Sequence, residues 1–217
     1  STDGVNYTYV NQVAANSTSS AQSGLSTSTN YFWKVYAVTE GGVSGSVDGS
    51  QATTAAGNIT SITTGPWSVP GTWSTGTVPT NGDNVTIRDG DVVTIDVAAS
   101  ALSLIVGQGT SGTLQYEAGT ARTLTVGTDV TIAAGASFTT ASTGTVTTHS
   151  LSLAGNLTNN GTLDFSTNSN TAGAGITFTG SSNTTFGGSG ATTDLRTLTV
   201  NKGASSASVL ELMPSVL

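Results

Sequence analysis

The fold is decided by residues 121–138, ARTLTVGTDVTIAAGASF, and residues 148–165, THSLSLAGNLTNNGTLDF. Each stretch has three short apolar steps, in which an apolar residue alternates with a polar one, and two turns rich in Gly, Asn and Asp. Alternation over so few residues is typical of short β-strands. Similar steps recur from Ala98 to Val200 at intervals of about 20–30 residues, which is the length of a solenoid coil.

These steps predict a right-handed parallel β-helix over residues 98–217, with aliphatic ladders inside and coils ~4.8 Å apart. The alternative is an antiparallel barrel or a second sandwich. That fold would need longer strands and clearer hairpins, and Asn160-Gly161 is the one good hairpin signal in this region. The segment Leu195–Leu217 still alternates, so we expect the repeats to continue in a longer protein.

The composition excludes several classes of protein. A net charge of −7, with five scattered Lys and Arg residues, argues against nucleic-acid binding. The chain has no cysteine, so it has neither disulfides nor thiolate metal sites, and no apolar run approaches the ~20 residues of a membrane-spanning helix. Disorder is the alternative for a chain rich in Ser, Thr and Gly, but regularly spaced Val, Ile, Leu and Phe favour strands.

The front of the chain has a strand pattern of its own. Tyr31, Trp33, Val35 and Ala37 alternate with other residues and are expected to form a buried face. Asp3-Gly4 predicts a hairpin over Ser1–Asn11, and Ser46–Thr54 is expected to be a last strand.

Leu25, Thr29 and Tyr31 resemble the tyrosine corner of fibronectin type III domains, with Thr27 where that family has Pro. The resemblance implies that residues 1–55 are the C-terminal part of an Ig/fibronectin III-like sandwich. Such a module is expected to act as a spacer, or as an adhesive unit. Because half a sandwich cannot bury its own core, we expect this part to be unstable alone.

Between the two parts, residues 56–97 are rich in Pro and contain Trp67 and Trp73. Bulky aromatic residues beside Pro and Gly predict a linker and a cap that seals the first coil. The alternative is an exposed aromatic platform for a glycan, formed by the same two residues.

This stretch resembles the opening of G8-like β-solenoid regions in large secreted and cell-surface proteins, notably from Bacteroidetes. The matching residues are Trp67, Ser68, Pro70, Thr72, Trp73, Gly76, Pro79, Asp83, Val85 and Ile87. The resemblance implies an extracellular or bacterial cell-surface location and export by the type IX secretion route.

Asp83, Asp89, Asp91 and Asp96 form the one acidic cluster in the sequence. Asp83, Asp89 and Asp91 are expected to hydrogen-bond to the backbone of their turns, so no cofactor is expected. The alternative is calcium, with these three residues as candidate ligands, because Asp89-Gly90-Asp91 places two carboxylates on a tight turn, as calcium sites often do.

Catalytic residues are not apparent in the sequence. Asp164, Asp194 and Glu211 are far apart and are expected at non-equivalent positions of their coils, whereas a glycosidase needs paired carboxylates. His149, the sole histidine, is expected to cap a turn. The steps Thr123-x-Thr125, Thr145-x-Thr147, Thr177-x-Thr179 and Thr197-x-Thr199 could bind ice only if they coincided on every coil. We interpret them as ordinary outward-facing residues.

The sequence therefore predicts an all-β, non-catalytic structural or adhesive segment of a large extracellular protein, such as a stalk or adhesin. The alternative is a carbohydrate-binding or carbohydrate-degrading protein with the β-helix as sugar platform. The expected partners are the rest of its own chain, secretion machinery, surface glycans or other copies of itself. Nucleic acid and a membrane span are not expected.

Overall fold

The structure is a computed structural model, and it describes residues 1–22, 25–26, 29–166, 171–203 and 208–213. The chain divides into two compact units, Ser1–Ala56 and Gly57–Leu217. The described residues are all-β apart from one 3₁₀ turn, Pro70–Thr72.

The second unit is a parallel β-solenoid of three sheets. The first sheet contains, in spatial order from one end, β5 (Gly57–Thr60), β7 (Asp83–Ile87), β10 (Ser103–Val106), β13 (Val130–Ile132), β16 (Leu157–Asn159), β19 (Thr184–Gly187) and β22 (Leu210–Leu212). The second contains β6 (Gly65–Pro66), β8 (Val92–Ile95), β11 (Thr113–Tyr116), β14 (Ser137–Thr140), β17 (Thr162–Asp164) and β20 (Thr192–Asp194). The third contains β9 (Ala99–Ala101), β12 (Thr123–Val126), β15 (His149–Leu153), β18 (Ala174–Phe178) and β21 (Thr197–Val200).

The strands of each sheet pair in parallel, which confirms the predicted solenoid. In the described part of this unit the one antiparallel contact is an isolated bridge between Ser61 and Trp73, so the barrel and second-sandwich alternatives are wrong. The sheets already begin at Gly57, whereas the sequence placed the first repeat at Ala98. Residues 56–97 thus contribute strands of the solenoid itself as well as its entrance.

The register explains why the apolar steps recur. Val85 pairs with Leu104, Leu104 with Val130, Val130 with Leu157 and Leu157 with Phe186, so one interior column runs through successive coils. All five side chains are buried, and each contributes roughly 1.5–3 kcal/mol of transfer free energy. Spacings between partners vary from about 19 to about 29 residues because the turns differ in length.

A polar column lies beside this interior column on the first sheet. It is formed by the residue that precedes each interior side chain. Asn84 donates from Nδ2 to Asn58 Oδ1 at 3.1 Å and accepts from Ser103 Oγ at 2.7 Å. Further along, Asn156 donates from its backbone N–H (2.7 Å) and from Nδ2 (3.0 Å) to Asp129 Oδ1. The same Asn156 accepts from the backbone N–H and the hydroxyl of Thr185, so this column ties successive coils together.

The turns between strands require glycine at particular points. Gly135 has φ +75°, which L side chains rarely adopt, and a Cβ there would lie 2.5 Å from the carbonyl oxygen of Thr110. Only glycine lets the turns of adjacent coils approach this closely.

The first unit has two antiparallel pairs, β1 (Asn30–Val35) with β4 (Val47–Ala52) and β2 (Val38–Thr39) with β3 (Gly42–Val43). The hydroxyl of Tyr31 accepts a hydrogen bond from the backbone N–H of Ser26 at 3.0 Å. This is the contact back to the turn that the tyrosine-corner pattern predicts. Gly24 and Thr27 lie outside the described residues.

One expectation for this unit is wrong. Residues 1–11 contain no strand, so the predicted hairpin is absent; instead the Asp3 carboxylate accepts the backbone N–H groups of Val5 and Asn6 and shapes a turn. The face expected to need further strands for its burial is open here, because Trp33 is 44% exposed and Val35 is 58% exposed. Two small sheets do not bury a core of their own.

Candidate functional site

Trp67 and Trp73 lie inside the entrance of the solenoid. They are 0% and 1% exposed, and their rings meet edge to face with centroids 4.9 Å apart. The indole N–H of Trp73 donates to the carbonyl oxygen of Trp67 at 2.8 Å, and the backbone of Trp73 bridges to Ser61. A buried ring has no face for a sugar, so a glycan platform here would require this entrance to open.

The carboxylate of Asp89 holds the turn of the next coil. It accepts the backbone N–H groups of Gln108 (2.6 Å) and Ser111 (3.1 Å) and the hydroxyl of Thr110 (2.7 Å). These hydrogen bonds, that from Thr110 foremost, hold the pKa of Asp89 below its usual range.

The other acidic candidates have separate partners. Asp91 is buried, and it accepts from Ser61 Oγ at 2.7 Å and from Arg88 Nη2 at 3.2 Å. Asp83 accepts the backbone N–H and the hydroxyl of Thr80. Among the described residues, no three His, Cys, Asp or Glu side chains group so that they could hold a metal ion. That Asp83, Asp89 and Asp91 shape turns rather than bind calcium stays a prediction to be tested.

His149 lies in the solenoid interior, and the expectation that it caps a turn is wrong. It is 2% exposed, and its ring stacks on Tyr116 with centroids 4.7 Å apart. Its Nδ1 accepts the backbone N–H of Arg122 at 3.1 Å. Burial lowers the pKa of this imidazole, so the neutral form is favoured. The parity of HSLSL already puts His149 in phase with Leu151 and Leu153, a signal that sequence reasoning missed.

Asp164 and Asp194 occupy equivalent positions, contrary to the expectation from the sequence. β17 and β20 pair in parallel with Asp164 opposite Asp194, and both side chains alternate with the interior positions. Neighbouring strands lie about 4.8 Å apart, so two carboxylates face solvent side by side. Asp164 Oδ1 also accepts the backbone N–H of Ser166 at 3.1 Å.

The outward face of the third sheet contains hydroxyl side chains in register. One column pairs Ser100, Thr125, Ser152, Thr177 and Thr199 in succession, and a second pairs Thr123, Ser150, Gly175 and Thr197. Two of the four Thr-x-Thr steps, at Thr123 and Thr197, therefore coincide on one sheet. Thr145-x-Thr147 lies between strands, and Thr179 follows the end of β18.

Every aromatic side chain of the second unit is buried. These residues are Trp67, Trp73, Tyr116, Phe138, Phe165, Phe178 and Phe186, and all are described. The outward faces of the solenoid thus offer hydroxyl, amide and carboxylate groups without aromatic rings. A platform on which sugars stack would need one of these rings to become exposed.

Comparison with known proteins places the chain in no family. No family model, no curated protein and no solved structure matches it. In the described part of the chain, no helix is long and apolar enough to cross a membrane.

Proposed function

We propose that this chain is a non-catalytic structural or adhesive segment of a large extracellular bacterial surface protein, acting as a stalk or adhesin. The observation that carries the proposal is the unbroken core from Ile59 to Phe186, which joins every coil of the solenoid. A stack whose coils share three hydrogen-bonded ladders and one apolar interior resists local opening and suits a mechanical role.

The finer features of the proposal come from the sequence resemblances. We propose a fibronectin type III-like module in residues 1–55, a G8-like solenoid after it, and export by the type IX route. Right-handed winding belongs to the same proposal, because crossovers between parallel strands are right-handed in about 98% of cases.

The test is mechanical and uses the whole chain between two handles in single-molecule force spectroscopy. We expect a few large unfolding steps, since coils that share one core lose stability together. Asn156→Ala should lower the unfolding force by removing contacts between coils, and Asn81→Ala should serve as a control. Asn81 is exposed, and its side chain makes no hydrogen bond among the described residues. Gradual extension without steps would argue against a mechanical role.

The second candidate is a carbohydrate-degrading protein, and the juxtaposition of Asp164 and Asp194 favours it. Retaining glycosidases hold two carboxyl groups about 5–5.5 Å apart, and adjacent strands could supply a similar separation. Incubation with a panel of plant and animal polysaccharides, followed by assay of new reducing ends, separates the two candidates. Product release that disappears in Asp164→Asn and Asp194→Asn would establish the second candidate and overturn the first.

A further inference from the structure

The outward hydroxyl groups of the third sheet include an unbroken column. On the first sheet the outward Thr86, Thr131 and Thr158 also make no side-chain hydrogen bond among the described residues, but Ile105 interrupts their column. On the first sheet Asn58, Asn84 and Ser103 bond to one another, and on the second Gln115 donates to Thr94 at 3.0 Å. In the described chain, the side chains of Thr123, Thr125 and Thr177 make no hydrogen bond with protein. The same holds for Ser100, Ser150, Ser152, Thr197 and Thr199. This hydroxyl face, defined by these eight residues, is therefore free to bind something else.

The hydroxyl face is periodic in two directions. Along a column the rungs follow the strand spacing of about 4.7–4.9 Å, and across it the two residues of one strand are separated by about 6.5–7 Å. Strand spacing is a backbone distance and does not by itself prevent hydrogen bonds between hydroxyl groups of neighbouring strands. Among the described residues no such bond joins these side chains, so a water between two rungs can bond to both.

Thr is restricted at χ1, which limits the positions that its hydroxyl can take. This applies to the five Thr residues of the face and not to its three Ser residues. Gly175 is the one outward position without a hydroxyl, and Thr197 Oγ1 lies 2.2 Å from where a Cβ at Gly175 would be. The second column is therefore interrupted here, and the column from Ser100 to Thr199 is the continuous one.

The chemistry of the face selects the class of ligand. None of its nine outward positions has a charged or aromatic side chain, so it matches neither an ion, nor a nucleic acid, nor a sugar that stacks on rings. A solid with hydroxyl-like donors and acceptors in a periodic lattice fits better. Water that is already fixed at two repeats loses little further entropy when it joins such a lattice.

We propose that the hydroxyl face of the third sheet binds the surface of ice. The Thr-x-Thr steps do not coincide on every coil, but Ser fills the remaining rungs of the first column, so every strand of this sheet presents a hydroxyl there. The face holds a layer of water at the strand and residue repeats, and this layer merges with the crystal. The inference goes beyond the proposed structural role and does not depend on it. Crystalline polysaccharide is the competing solid, and the experiment below includes it.

The experiment uses the full chain with growing ice crystals in buffered water. The readouts are the gap between melting and freezing temperatures and the partition of protein into a slowly growing ice hemisphere. We expect the native chain to show both effects. Thr125→Leu and Thr177→Leu should lose most of both, because the larger side chain displaces water from the central column.

The matched control is Thr131→Leu, an outward position on the first sheet that, like Thr177, is half-buried. It should keep both effects, and all three variants should unfold at temperatures close to that of the native chain. Absence of both effects in the native chain would overturn the proposal, as would equal losses in Thr131→Leu. The native chain could instead bind microcrystalline cellulose or chitin and not ice. If Thr125→Leu and Thr177→Leu then lost that binding, the face would be assigned to polysaccharide.

Discussion

At the scale of single residues, the fold changes the chemistry of His149 by enclosing it. The groups around it are the Tyr116 ring, the backbone of Arg122 and the ion pair of Arg122 with Glu117. Burial lowers its pKa more than Glu117 raises it. The unfolded chain takes up a proton below about pH 6.5, whereas the folded chain resists it. Acid therefore favours unfolding.

We predict that the free energy of unfolding falls as the pH is lowered from 7 to 5, before most carboxylates titrate. The contribution is complete above the unfolded pKa of about 6.5 and is lost as the pH approaches the lower folded value. Urea unfolding at several pH values measures it. His149→Phe keeps a ring for stacking and should flatten the dependence in this window. An unchanged slope in this variant would show that another group is responsible.

Also at the residue scale, the turn carboxylates offer a test for calcium. Asp89 and Asp91 already accept hydrogen bonds from neighbouring coils, so we expect the same melting temperature in chelator and in millimolar calcium. Binding to the folded state alone would add about 2.7 kcal/mol at a hundredfold excess over Kd, which is a rise of several degrees. A rise that vanishes in Asp89→Asn and Asp91→Asn would establish a calcium site.

At the scale of elements, the two buried tryptophans at the entrance of the solenoid are expected to differ. Trp73 donates its indole N–H to Trp67, whereas the indole N–H of Trp67 is buried without a partner among the described residues. Replacing either by Ala should cost about 3–5 kcal/mol, because each ring is fully buried. Trp73→Phe should cost about 1–3 kcal/mol more than Trp67→Phe, since it leaves the carbonyl of Trp67 unpaired.

Chemical denaturation measures these differences, and Trp33→Ala in the first unit is the comparison. Trp33 is 44% exposed, so its loss should leave the main transition of the solenoid unchanged. Retained stability in Trp67→Ala and Trp73→Ala, together with lost binding to a glycan array, would favour the platform interpretation.

A further prediction at the scale of elements concerns the polar column of the first sheet. Asn156 bonds to Asp129 on one coil and to Thr185 on the next, whereas Asn58 accepts a single bond from Asn84. With about 0.5–1.5 kcal/mol per net hydrogen bond, Asn156→Ala should cost about 2–3 kcal/mol and Asn58→Ala about 1 kcal/mol. Urea unfolding measures the loss of free energy of unfolding in each variant. Equal losses in Asn156→Ala and Asn58→Ala would contradict the larger role of Asn156 in joining the coils.

At the scale of the whole molecule, the two units differ in what they bury. The solenoid has one continuous core, whereas the first unit exposes Trp33, Val35 and Val47. We predict that residues 1–55 do not fold alone and that their amide signals are poorly dispersed and exchange rapidly. Residues 57–217 should keep the cooperative transition of the full chain. Dispersed, slowly exchanging signals from residues 1–55 would contradict the first expectation.

The sequence alone determined the local features of this protein. Alternation of apolar and polar residues specifies the strands and their inward side chains, and Gly and Asn specify the turns. The recurrence of the apolar steps predicts the coils. All three features depend on residues that are near one another along the chain. Only the tertiary structure decided which outward residues meet. Turns of unequal length shift each coil, so the pairing of Asp164 with Asp194 and of Thr125 with Ser152 depends on how interior side chains stack. Packing sets that register, and sequence separation does not reveal it.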